Sequence, residues 1–177
     1  MRSIVYDVAT SLDGYIAGPD DDISLFPAEG AHVDDYLARL QTYETVIMGR
    51  RTYEFGYAYG LTPGKRAYPH MDHHILSRSL ALPEDAEVTV VRDDWLGAVE
   101  RLQRSSGGDI YLCGGGQLSG LLLANGLIDR LVLKLAPAII GTGVRLFGDT
   151  ARPQGFRLID TKPYDSGVVL LTYQNRA

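Results

Sequence analysis

The chain has 177 residues, 45% hydrophobic and 22% charged, with a net charge of −5, the profile of one globular domain spanning 1–177 with a sizeable core. No basic run offsets the acidic balance, which argues against a nucleic-acid or anionic-membrane partner. Cys113 is the only cysteine, so an internal disulfide is excluded, and the lack of a signal-like N-terminus or long apolar stretch predicts a cytoplasmic protein.

In chain order, Ser3–Ala9 reads as a strand and Thr10–Pro19 as a loop. Val33, Tyr36, Leu37 and Leu40 fall at helical spacing within His32–Tyr43, which predicts those four as the buried face. Thr45–Met48 is a short buried strand, Arg50–Phe55 opens a helix, and Tyr57–Met71, broken by Gly60, Pro63, Gly64 and Pro69, is a loop. His73–Leu76 and Glu87–Val91 are strand candidates, and Asp93 or Asp94 can cap a helix running to about Arg104. Asp109–Cys113 is a strand, Gln117–Ala124 a helix with Gly126 beyond its end, and Arg130–Ala136 a strand. Phe156–Thr161 and Gly167–Tyr173 close the chain as an antiparallel pair. This alternation predicts an α/β fold with a mixed, mostly parallel sheet.

Two strand-to-helix junctions carry glycine: Gly49 before Arg50-Arg51-Thr52, and Gly114-Gly115-Gly116 before Gln117-Leu118. A helix start offers unpaired N–H groups and the positive end of a dipole, and glycine lets a phosphate approach the backbone. Arg50 and Arg51 in a first helical turn oppose that dipole, which suggests an anion nearby. Ser77-Arg78, after another apolar strand, could supply a further hydroxyl and guanidinium. The bland alternatives are a tight turn for the glycines and solvated or paired loops for the arginines. Neither the G-x-G-x-x-G spacing nor a P-loop is present.

Lys134 interrupts the apolar run Leu131–Ala136 and must reach solvent, a partner or a ligand. It is a candidate to bind an acidic or carbonyl-bearing substrate or to donate a proton. Cys113 reads as a small packed residue at a strand end. The cluster His70-Met71-Asp72-His73-His74 lacks a second ligand group, and strand alternation sends His73 and His74 to opposite faces, so no metal site is expected. Tyr57, Tyr59 and Tyr68 in the adjoining loop could wall a planar substrate, pack, or meet a second subunit.

Together, Ser11-Leu12-Asp13-Gly14-Tyr15-Ile16-Ala17, Val46–Tyr53, Ile75–Arg78, Cys113–Leu118, Gly126–Leu131 and the run from Leu135-Ala136-Pro137 through Gly141-Thr142-Gly143 to Leu146-Phe147 resemble the dihydrofolate-reductase-like fold. The resemblance is closest to the reductase domain of bifunctional riboflavin-biosynthesis enzymes and its stand-alone relatives. It implies a three-layer architecture with helices on both faces of the sheet, NADPH as cofactor, a homodimer, and hydride transfer to a C=N or C=O carbon. By that analogy Gly49, Arg50, Arg51 and Thr52 hold phosphates, and Ser77 and Arg78 lie near the adenosine 2′-phosphate. Cys113, Gly114, Gly115, Gly116, Gln117 and Leu118 cradle the pyrophosphate. Val8, Ala9 and Ile16 line the nicotinamide, Asp13 and Gly14 shape the loop over the cleft, and Lys134, Asp13 and Tyr57 lie toward the substrate. The implied reaction is of the 5-amino-6-(5-phosphoribosylamino)uracil reductase type.

Folate reductases carry an inward acid on the first helix. Here Asp34 and Asp35 lie about 100° and 200° from Val33 and read as surface residues suited to the helix dipole. A true dihydrofolate reductase is therefore disfavoured, and a non-catalytic or regulatory NADP(H)-binding dimer is the alternative. Glu29 is a weaker candidate for a substrate contact. With no deaminase domain preceding and no separate site for a substrate phosphate, another pteridine-like or carbonyl substrate stays open.

Overall fold

The computed structural model describes residues 1–149 and 152–176. It runs β1 (Ile4–Thr10), β2 (Tyr15–Ala17), α1 (Ala31–Leu40), β3 (Thr45–Gly49), α2 (Arg50–Phe55), β4 (Asp72–Leu76), β5 (Thr89–Val91) and α3 (Trp95–Arg104). It continues with β6 (Ile110–Gly114), α4 (Gly116–Ala124), β7 (Arg130–Leu135), β8 (Val144–Arg145), β9 (Phe156–Pro163) and β10 (Val169–Asn175).

The main sheet has the order β5-β4-β3-β6-β1-β7-β10-β9. The strands from β5 to β7 are parallel, and β10 runs antiparallel to both β7 and β9. Parallel strands joined by helical crossovers are covered on both faces, which is why β1, β3 and β6 are apolar along most of their length. Side chains alternate between faces. Ile4, Tyr6, Leu112 and Leu131 pack under α3 and α4, represented by Val99 and Leu122. Val5, Tyr111 and Val132 pack under α1 and α2, represented by Leu40 and Tyr53. The result is the three-layer α/β architecture with a C-terminal antiparallel pair.

Several local expectations are corrected. Leu37 is 53% exposed, whereas His32 and Leu40 are buried and Val33 and Tyr36 are half-buried. The inward stripe of α1 is 32, 36 and 40, because His32 is tied to the Pro27 carbonyl and Arg39 reaches inward to Asp7. That rotation brings Asp35 against β9 and the loop beyond it, where it accepts hydrogen bonds from Lys162 and the Tyr164 hydroxyl. Asp94 occupies the N-cap position of α3 but makes no capping bond, since its carboxylate pairs with Arg101 at 2.9 Å. The Thr10–Pro19 loop contains β2, which pairs with β8. That pairing is non-local and leaves no alternating apolar run to read. It needs Gly143, at φ +139, because a Cβ there would collide with the Ala17 carbonyl.

Candidate functional site

The C-terminal ends of β1, β3, β6 and β7 open into a cleft of about 680 Å³. Connections around these strands leave to opposite faces of the sheet, the arrangement at which open α/β sheets bind ligands. β3 and β6 are neighbours, with Met48 paired to Gly114, so the two glycine junctions lie side by side. A Cβ on Gly49 would stand 3.9 Å from the Gly114 carbonyl oxygen and the Gly115 nitrogen, and a Cβ on Gly115 would stand 3.3 Å from Thr52 Oγ1. The starts of α2 and α4 thus approach each other closely, with bare backbone on both sides. Neither helix has a side-chain cap, which leaves first-turn N–H groups for another acceptor.

Gly49, Arg50, Arg51, Thr52, Cys113, Gly115, Gly116, Gln117 and Leu118 line the cleft, as do Val8, Ala9, Ile16 and Lys134. Arg51 is bridged to Asp21 at 3.0 Å, and Arg50 faces Glu54 at 3.9 Å. A phosphate at Arg51 would share or displace the Asp21 carboxylate, because an exposed pair of this kind is weakly held. Gly114, at φ +124, shapes the turn without lining the cleft.

Other candidates fall elsewhere. Ser77 is buried, and its hydroxyl accepts the Ser79 and Leu80 N–H groups. The Arg78 guanidinium lies 5.5 Å from the Trp95 ring centroid, and Trp95 lines the cleft. Asp13 does not line it. Its carboxylate accepts bonds from the Ser11 hydroxyl and the Ile140 and Gly141 N–H groups, and the Ser11 bond, with smaller help from the backbone, holds its pKa down to about 2. Asp13 therefore clamps the loop after β1 to the segment before β8. Tyr57 packs edge-on to Tyr53 at 5.6 Å, Tyr59 is 69% exposed, and Tyr68 alone of the three loop tyrosines enters the cleft wall. Glu29 is exposed.

At the cleft floor, Lys134 Nζ lies 3.2 Å from Asp7 Oδ1 and 3.4 Å from the Tyr36 ring centroid. Burial pulls the Lys134 ammonium below its ordinary range, and the Asp7 carboxylate opposes that pull. Asp7 is only 1% exposed and also accepts bonds from Arg39 Nε at 2.9 Å and the Tyr43 hydroxyl at 3.3 Å. Beyond Tyr36 a polar chain continues. The Tyr36 and Tyr111 hydroxyls are 2.9 Å apart, and the Tyr68 hydroxyl is 3.7 Å from Cys113 Sγ. Burial raises the Tyr36, Tyr111 and Cys113 pKa values, and Cys113 followed by burial raises that of Tyr68, so all remain protonated.

Asp7 is the residue that the sequence reading missed. Its signal was a lone acid inside the apolar strand Ile4–Val8, matching the lone lysine of Leu131–Leu135. Among the described residues no three His, Cys, Asp or Glu side chains converge as metal ligands. His70 Nε2 meets the Leu40 carbonyl, while the two ring nitrogens of buried His73 meet the Met71 carbonyl and the Tyr68 N–H. No helix among the described residues is long and apolar enough to cross a membrane.

Comparison with known proteins places this geometry in a family. The uncharacterized protein YwjB of Bacillus subtilis (strain 168) is 31% identical over 172 residues, covering 96% of each chain. A structure described as a putative riboflavin biosynthesis protein from Shewanella sp. PV-4 matches with a TM-score of 0.82 at 23% identity, over 100% of both chains. A Thermotoga maritima diaminohydroxyphosphoribosylaminopyrimidine deaminase/5-amino-6-(5-phosphoribosylamino)uracil reductase matches with a TM-score of 0.68 at 14% identity, over 98% of this chain and 56% of that one. The model of the RibD C-terminal domain family matches residues 2–170. The chain belongs to the RibD C-terminal domain family.

Proposed function

We propose that this protein is an NADPH-dependent reductase that delivers hydride to a C=O or C=N carbon of a small substrate, of the riboflavin-pathway reductase kind. The observation that carries the reading is the adjacency of the two glycine junctions at the mouth of one cleft whose floor holds Lys134. The residues fit the cofactor. Gly49, Gly115 and Gly116 line the cleft without side chains, the uncapped starts of α2 and α4 supply N–H donors, and Arg50, Arg51 and Thr52 add charge and a hydroxyl. Trp95 and Leu76 offer an apolar surface on the same side.

When bound, the nicotinamide supplies the hydride. The chain's own residues do the rest. Ala9 and Ile16 exclude water near the reacting carbon, Tyr36 and Tyr68 line one wall beside the substrate, and Lys134 Nζ gives a proton to the substrate oxygen or nitrogen as negative charge develops. Asp7 holds Lys134 in place and is itself held by Arg39 and Tyr43. No acid on α1 is needed for this delivery, so the alternative of a binding protein without activity loses its motivation. The active species is proposed to be a cytoplasmic homodimer.

The test is a thermal-shift comparison of NADPH and NADH, followed by NADPH oxidation with a panel of carbonyl, pteridine and aminopyrimidine compounds. A shift that is larger with NADPH, and turnover of at least one panel member, is expected. No shift with either nucleotide would overturn the reading.

A further inference from the structure

The main cleft has a side chamber. It has a volume of about 170 Å³ and shares Ala9, Phe26, Tyr36 and Lys134 with the cleft. Its remaining wall includes Pro27, Val33, Ala136 and Val168. A water-sized group takes about 30 Å³, so a short alkyl substituent fits.

The chamber offers almost no polar partner. His32 spends Nε2 on the Pro27 carbonyl at 2.9 Å and Nδ1 on the Ser166 hydroxyl at 3.1 Å. The Tyr36 hydroxyl is engaged with Tyr111. Among the described residues, Lys134 is the one Lys, Arg, Asp or Glu side chain in the chamber wall, and its ammonium is held by Asp7, which Arg39 also faces. An anionic substituent entering past Lys134 would give up its water to walls of Phe26, Val33, Ala136 and Val168, a desolvation cost that one ammonium already held by Asp7 offsets only in part. An apolar substituent would only exchange water for Val33, Phe26 and Val168.

We propose that the substrate is an uncharged carbonyl compound with a planar head against the cleft wall that Tyr36 and Tyr68 line and an apolar arm that enters this chamber past Lys134. This deepens the reductase reading and rests on it for the identity of the cleft. Val33 and Val168 then set the length of arm accepted, and a ribose-phosphate substituent is disfavoured.

The test uses phenyl alkyl ketones from acetophenone to hexanophenone, with affinity read by thermal shift and by competition during NADPH oxidation. Affinity should rise roughly fourfold per added methylene until the chamber is full, then level off. Val33→Phe, which fills the chamber from α1, should flatten that trend while leaving the NADPH-induced shift intact. A flat trend in the unaltered protein, or tighter binding of a ribose-phosphate-bearing pyrimidine than of hexanophenone, would overturn the proposal, and neither result depends on the variant folding. A rising trend without any NADPH shift would remove the cofactor reading and leave the chamber standing.

Discussion

Asp7 on β1 and Lys134 on β7 meet 3.2 Å apart at the floor of the cleft, two charges contributed by adjacent strands whose immediate flanking residues are apolar. Their side chains share a sheet face because Asp7 pairs in register with Val132, two residues before Lys134. The pair is not symmetric. Asp7 has Arg39 and Tyr43 as further partners, whereas among the described residues Lys134 contacts Asp7 and the Tyr36 ring.

That asymmetry separates two substitutions. Asp7→Asn leaves Lys134 and Arg39 without a counter-charge in a buried setting and should cost about 3–5 kcal/mol. Lys134→Met leaves Asp7 still neutralised by Arg39, so its urea midpoint should fall less. The same Lys134→Met protein should lose roughly 100-fold or more in kcat if Nζ is the proton donor, with its NADPH-induced thermal shift unchanged. Equal kcat values would remove Lys134 from the chemistry.

The glycine junctions make a second contrast. Gly115 has an ordinary negative φ, and a Cβ there would intrude between the two helix starts near Thr52. Gly115→Ala should therefore weaken NADPH roughly tenfold, about 1.4 kcal/mol, with little change in melting temperature. Gly116→Ala instead drives a methyl into the Arg145 carbonyl and should destabilise the fold by about 1–3 kcal/mol or more. Calorimetry and nucleotide titration on both variants check this division.

Arg51 gives a test of nucleotide choice. Its side chain is 73% exposed and paired with Asp21, so Arg51→Ala should change stability by less than about 1 kcal/mol. NADPH should weaken more than NADH if the guanidinium meets the additional phosphate. Arg78→Ala, which removes the cation over Trp95, is the matching probe of the adenosine end. Parallel losses for both nucleotides in both variants would mean that neither arginine selects NADPH.

His73 predicts an acid limit. Burial lowers its pKa from the ordinary 6.5 to about 4, and its ring donates to the Met71 carbonyl while accepting from the Tyr68 N–H. The folded state binds this proton less readily than the unfolded chain. The stability it protects is complete above pH 6.5 and is lost as pH falls from 6.5 toward 4, on the order of 3 kcal/mol in all. His73→Gln, which can keep both bonds without titrating, should shrink the fall in melting temperature across that window. An unchanged pH profile would assign the acid sensitivity to other groups.

Much of the fold was legible in local pattern. The apolar runs at β1, β3, β6 and β7, the glycines after β3 and β6, and the helical spacing before Ala124 each follow from short-range sequence, because burial on both faces leaves long apolar strands. The rotation of α1 was not legible. Leu37 fits an apolar stripe by spacing, but His32 and Arg39 find partners in Pro27 and Asp7, and those bonds turn the helix by about one residue. The β2–β8 pair was hidden as well, since two or three residues brought together across more than a hundred positions carry no periodicity.

By itself the sequence determined the α/β alternation, the two glycine-bearing helix starts, and the fact that Lys134 had to find a partner. Only the tertiary structure decided that the two junctions are neighbours, that Asp13 clamps a loop instead of facing the cleft, and that Asp7 is the partner of Lys134. The reason is physical. Local conformation depends on near neighbours in the chain, whereas the meeting of Asp7 with Lys134 and of Gly49 with Gly115 depends on strand order, which is set by how the whole set of apolar faces is buried at once.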